Sequence, residues 1–153
     1  MRTLKSLCAV IILLFALPLY AGEKILTIIH TNDLHSHLMG FPPELDFTPD
    51  KTGDDATLGG WARVATVIRR EKAARANPSL VLDAGDFTMG SLFHMLAREE
   101  AIELSLLKRM GYDMVTVGNH QLDLMPHGLT RILAAGRRNG MPEVVFSAAR
   151  FSD

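Results

Sequence analysis

A chain of 153 residues is long enough to bury one real core and short for two domains. Its 16 basic and 17 acidic residues leave a formal net charge of -1, which argues against a polybasic nucleic-acid or membrane-surface protein. Cys8, the single cysteine, lies in an apolar N-terminal block, so the residues after it offer no disulfide and no thiolate metal ligand.

Arg2 and Lys5 precede the apolar block Leu7 to Leu17, and Pro18-Leu19-Tyr20-Ala21 follows. This pattern predicts a secretory signal over residues 1–21, cut after Ala21, and so a secreted protein, periplasmic or extracellular. The block is short for a bilayer span, so no stable membrane anchor is expected after cleavage.

Ile25-Leu26-Thr27-Ile28-Ile29 is a short β-rich run and predicts a buried strand. It leads into Thr31-Asn32-Asp33-Leu34-His35. Residues i and i+2 of an extended chain project to one side, so Asp33 and His35 are expected to reach one point just past the strand. Ligands bind at that edge of open α/β sheets, and an Asp with a His suits a divalent transition metal. Phe41 to Gly53, rich in Pro, Asp, Thr and Gly, reads as a surface loop. Leu58-Gly59-Gly60-Trp61 then opens a helix with Trp61, Val64, Val67 and Ile68 on its apolar face, ending near Asn77-Pro78. Trp61 is expected in the core or as a loop anchor.

Ser79 to Leu82 is a second predicted strand, running into Asp83-Ala84-Gly85-Asp86. One helix is predicted from Ser91 to Met110, with Leu92, Met95, Leu96, Ile102, Leu106 and Leu107 facing the core and Gly111 as its stop. Asp113 to Val117 is a third strand, running into Gly118-Asn119-His120-Gln121-Leu122-Asp123. Pro126 opens a third helix to about Arg138, and Glu143 to Ser147 is a fourth strand. The order β-α-β-α-β-α-β predicts an α/β fold with parallel strands and right-handed crossovers.

Three consecutive strands thus end in polar groups: Asp33 with His35, Asp86, and Asn119 with His120. Parallel strands bring those ends to one edge. The residue types suit two adjacent divalent cations, with Asp86 on the middle loop as the bridge and Asn119 as a neutral oxygen for the second ion. Asp123 lies three residues after His120 and is expected to hydrogen-bond its ring, favouring a charged imidazole that can stabilise phosphoryl charge or donate a proton. The alternative for Asp123 is a cap on the third helix. Gly85, Gly90 and Gly118 fit sharp turns or close approach to bound groups. His30 is expected to pack at its strand end, His37 to stand behind the site, and His94 and His127 to lie on helix surfaces.

Ile28-Ile29-His30-Thr31-Asn32-Asp33-Leu34-His35, Gly59-Gly60-Trp61-Ala62-Arg63, Asp83 to Ser91 and Gly118 to Asp123 resemble the secreted 5'-nucleotidase family of calcineurin-like metallophosphoesterases. That family includes UDP-sugar hydrolases and 2',3'-cyclic nucleotide phosphodiesterases. The resemblance implies Asp33 and His35 on a first metal, Asp86 bridging, Asn119 on a second, and His120 with Asp123 as the catalytic pair, Asn119 and His120 also facing substrate. It implies two divalent ions (zinc, manganese or similar), a metal-activated water attacking phosphorus in line, and a nucleotide or other phosphate ester as substrate rather than a nucleic-acid polymer.

Two departures stand out. Gln121-Leu122 replaces the family's Glu-Phe, which bears on pocket shape. The family's later Gly-His-x-His motif and its C-terminal nucleotide domain are not in this sequence. The resemblance therefore implies that residues 22–153 are the N-terminal portion of a catalytic domain, half of a metallophosphoesterase-type α/β sandwich, with the C-terminal half of the same enzyme as its missing partner. Little or no activity alone and an uncovered sheet face are expected. The rivals are a thiosulfohydrolase-like enzyme of the same fold and a non-enzymatic metal-binding remnant.

Overall fold

The computed structural model describes residues 23–41 and 57–146. The expected signal peptide, nearly all of the expected 41–53 loop and Ser147 lie outside the described residues. Strands β1 (Thr27–Thr31), β2 (Ser79–Asp83), β3 (Met114–Thr116) and β4 (Glu143–Val145) form one parallel sheet in that spatial order. Register runs from Thr27 opposite Ser79 to Thr31 opposite Asp83, then Asp83 opposite Val115, and Thr116 opposite Val145.

Between the strands lie helix α1 (Trp61–Ala73), a 3-10 turn at Leu92–Leu96, a short helix α2 (Ala97–Glu100), α3 (Ile102–Met110), a 3-10 turn at His120–Leu122, and α4 (Met125–Asn139). A sheet whose strands are added in one direction by crossovers of one hand carries its helices on one face. The burial follows. Val81 and Val115 are buried under the helix layer with Ile68, Leu104, Leu107 and Ile132. Ile28, Met114 and Val145, on the other face, are 57%, 40% and 44% exposed. His30 is two residues on from Ile28, shares that face and is exposed, which corrects the expectation that it packs.

Two further expectations need correction. In α1 the buried stripe is Trp61, Ala65 and Ile68, spaced i, i+4, i+7, while Val67 is half-exposed. Val67 falls about 120° round the helix from Trp61.

The helix expected from Ser91 to Met110 is broken. Ala101, fully buried, takes a left-handed backbone (φ 47°, ψ 46°) between α2 and α3. The break turns Leu104 and Leu107 into the core and leaves Leu92 and Met95 exposed. Ala-Arg-Glu-Glu-Ala-Ile-Glu-Leu is a strong helix-forming sequence, so no local signal marks the break; burial of Ala97, Ala101, Leu104 and Leu107 overrides propensity.

Candidate metal centre

The loops after β1, β2 and β3 continue past the sheet side by side. Asp33 N–H donates to Gly85 O at 3.0 Å, His35 N–H to Asp86 O at 2.9 Å, and Ser36 N–H to Phe87 O at 3.0 Å, so the first loop lies along the second. His120 N–H donates to Asp86 Oδ1 at 2.9 Å and joins the third. The second and third loops meet where glycines face each other. A Cβ on Gly85 would stand 2.6 Å from Gly118 N, and one on Gly118 would overlap the Asp86 carboxylate. Trp61, buried beneath, donates through Nε1 to Leu34 O at 3.4 Å and is both core residue and loop anchor.

The chain is not extended through the first motif. Asp33, His35 and Ser36 all hold positive φ, at 55°, 45° and 50°, as does Asp86 at 55°. The i, i+2 argument for an extended segment therefore does not apply. The tight turn brings Asp33 Oδ1 to 3.4 Å from His35 Nε2 all the same. Strain of this kind in non-glycine residues gathers at functional sites. Ser36, fully buried, ties the turn to α3 by donating its hydroxyl to Glu103 Oε1 at 2.7 Å. Burial pushes the Glu103 carboxyl above its ordinary range.

His35, Asp86 and His120 place one donor atom each within 4.8 Å of one another. The two imidazoles meet edge-on, centroids 5.1 Å apart. His35 Nδ1 lies 3.2 Å from Thr88 O. A carbonyl only accepts, so Nδ1 carries a proton, and in the neutral ring Nε2 is the atom with a lone pair. His120 Nδ1 is 2.6 Å from Asp123 Oδ2. That hydrogen bond raises the His120 pKa against a smaller opposing effect of desolvation, and the charges of Asp123, Asp86 and Asp33 add to the rise. Helix α4 takes no side-chain cap, so Asp123 serves His120 rather than the helix.

Asp86 is nearly buried, with one carboxylate oxygen taken by His120 N–H. Asp33 is half-exposed, its carboxylate touched by the Asn32 amide. Asn119 sits on the same turn as His120 and is exposed. The His35 imidazole with the Asp33 and Asp86 carboxylates, without sulfur, fits a divalent cation of the zinc, manganese or iron kind, with the His120 ring beside them. His37 binds His35 O through Nδ1 at 2.7 Å, behind the cluster. His94 is half-buried on the Leu92–Leu96 turn, and His127 is exposed on α4.

Two residues to which sequence reasoning gave no structural role, Asp83 and Gln121, hold this edge together. Asp83 is buried; desolvation lifts its carboxyl to about 6, against hydrogen bonds from Thr31 Oγ1 and Gly85 N–H, with Asp33 and Asp86 adding to the rise. Its signal was alternation: Val81 and Asp83 share the covered face of β2. Gln121 is fully buried, so the departure at this position does not shape an open pocket. Its Oε1 accepts Asp86 N–H at 2.9 Å and Gly118 N–H at 2.7 Å. Leu122, beside it, is half-exposed.

The family model of the calcineurin-like phosphoesterases matches residues 26–147. A probable 5'-nucleotidase of Treponema pallidum is 41% identical over 113 residues, 74% of this chain and 18% of that protein. The solved 5'-nucleotidase precursor of Thermus thermophilus superposes with a TM-score of 0.59 at 32% identity, over 78% of this chain and 21% of the other. A sulfate thiohydrolase of the same genus gives a TM-score of 0.58 at 19% identity over 81% of this chain and 30% of that one, a likeness of fold alone. The chain spans about a fifth of the length of the curated relatives it matches. No helix among the described residues is long and apolar enough to cross a membrane.

Proposed function

The chain belongs to the calcineurin-like phosphoesterase family, and from that premise we propose that its loops are the cation-binding part of a 5'-nucleotidase-type hydrolase acting on nucleotides or related phosphate esters. The observation that carries this reading is the meeting of His35, Asp86 and His120 donors within 4.8 Å at the carboxyl edge of a parallel sheet. In the proposed assignment Asp33 and His35 hold a first divalent cation, Asp86 bridges to a second, and Asn119 gives the second a neutral oxygen. Bound cations would supply Lewis acidity toward phosphoryl oxygens and make water a competent nucleophile near neutral pH.

The side chains do the rest. His35 offers Nε2 because its Nδ1–H is committed to Thr88 O. Asp123 keeps His120 protonated to higher pH, which favours the charged ring, able to neutralise phosphoryl charge or to give its Nε2 proton to the departing ester oxygen. Asp86 and Asn119 are the donors this reading gives the second ion. Two are too few for tight coordination of that ion, so little or no turnover by these residues alone is part of the proposal.

Calorimetric titration of the full chain with Mn²⁺ and Zn²⁺ tests the cation reading: saturable binding is expected, and its absence overturns it. A chimera of the Treponema relative carrying residues 23–146 of this chain tests the chemistry. It is expected to hydrolyse AMP; a folded, metal-binding chimera inert toward AMP, UDP-glucose and cyclic nucleotides overturns the substrate class. Export is proposed on the N-terminal pattern alone, and Gly22 is the expected first residue of protein recovered from the periplasm or medium.

A further inference from the structure

Gln121 stands on the short turn after β3 with no exposed surface. Its carboxamide meets three groups: Asp86 N–H and Gly118 N–H donate to Oε1 at 2.9 and 2.7 Å, and Nε2 donates to Thr88 Oγ1 at 2.8 Å. Backbone N–H groups only donate, which fixes the oxygen on their side and the nitrogen toward Thr88. Thr88 in turn accepts His35 Nδ1 on its backbone carbonyl at 3.2 Å. One buried amide therefore binds the second and third loops directly and reaches the first through a single residue. It also satisfies the N–H of Asp86, whose left-handed backbone needs outside support.

We propose that Gln121 is the positioning residue that sets the spacing of His35 and Asp86, with His120 beside them, and thereby the affinity of the centre for a divalent cation. The inference rests on the cation reading above. A carboxylate at position 121 would accept the same two N–H groups and a reversed bond from the Thr88 hydroxyl, and would add negative charge close to the donors. An alanine would leave the buried Asp86 N–H and the half-buried Gly118 N–H without their present acceptor and the second and third loops joined mainly by the His120 N–H to Asp86 bond.

The test is titration of the full chain with Mn²⁺ alone, with thermal unfolding of the metal-free protein beside it, for wild type, Gln121→Ala, Gln121→Glu and the core control Leu107→Ala. Gln121→Ala is expected to weaken Mn²⁺ binding about 10–100-fold, as loss of a residue behind a metal ligand does. Leu107→Ala, though less stable, keeps wild-type affinity, and Gln121→Glu binds as tightly as wild type or tighter. Wild-type affinity in Gln121→Ala, equal losses in Gln121→Ala and Leu107→Ala, or lost affinity in Gln121→Glu each overturn the proposal. The last holds even where the alanine variant fails to fold. Amide hydrogen exchange separates the two readings. A wild type that binds no Mn²⁺ ends the cation reading and this assignment of affinity with it. Unchanged protection of Asp86 and Gly118 in Gln121→Ala removes the strap while leaving the cation reading standing.

Discussion

The carboxyl edge of the sheet and the helix layer behind it meet opposite demands. At the edge, Asp33, His35, Ser36 and Asp86 hold left-handed backbone, and Asp83 and Gln121 bury polar atoms. In the layer, Ile68, Leu104, Leu107 and Ile132 pack on Val81 and Val115, and Ala101 supplies the break in backbone. Strain of this kind costs on the order of 1–3 kcal/mol per residue, which only a stabilising core elsewhere can offset. The contrast teaches that donor geometry and stability are carried by different residues and should respond to different mutations.

The strongest way to break that separation is at Asp86. Asp86→Asn removes the proposed bridge and is expected to weaken Mn²⁺ binding about 1,000-fold, roughly 4 kcal/mol, with little change in melting temperature. An unchanged Kd by calorimetry contradicts the assignment. From the other side, Leu107→Ala deletes a fully buried side chain and is expected to cost about 2–5 kcal/mol in urea unfolding while the folded fraction binds Mn²⁺ as before. Coupled loss of both properties would show that the two regions are one unit.

Asp83 lies on the boundary. Its carboxyl titrates near 6 in the folded chain against 3.8 for the free side chain, so the folded state keeps a proton that the unfolded state has lost. Its contribution to stability is complete below about pH 4 and is lost as pH rises through 6, by up to about 3 kcal/mol. Asp83→Asn is expected to flatten that slope, read as the difference between wild-type and variant unfolding free energies at pH 5 and pH 8. Equal slopes place the pH dependence elsewhere.

The smallest effect is at Asp123. Asp123→Asn is expected to lower the His120 pKa, seen by NMR titration of the ring in the metal-free chain, with melting temperature barely moved. A His120 pKa that stays put removes Asp123 from its proposed role.

Much of the fold was written in the sequence. The strand runs at 27–31, 79–83 and 114–116 are short and rich in β-branched or aliphatic residues, and each is followed within three residues by Asp or Asn. Pro126 at the start of α4 and Gly140 at its end mark that helix within a residue or two. The break at Ala101 left no trace because every residue around it favours helix, and long-range burial made the choice. Val67 and His30 were misread because periodicity says which residues share a face, not which face is covered. Gln121 was misread because its three partners, Asp86, Gly118 and Thr88, are distant in sequence or reached only through the turn.

Composition, alternation and the polar residues closing each strand determined the parallel α/β order and the edge at which the donors gather, since strand direction and side-chain period are local properties of the chain. Tertiary structure alone decided that the motif backbone is left-handed, which face of the sheet the described helices cover, and that a buried amide joins the loops. Each of those depends on contacts between segments whose partners no local pattern names.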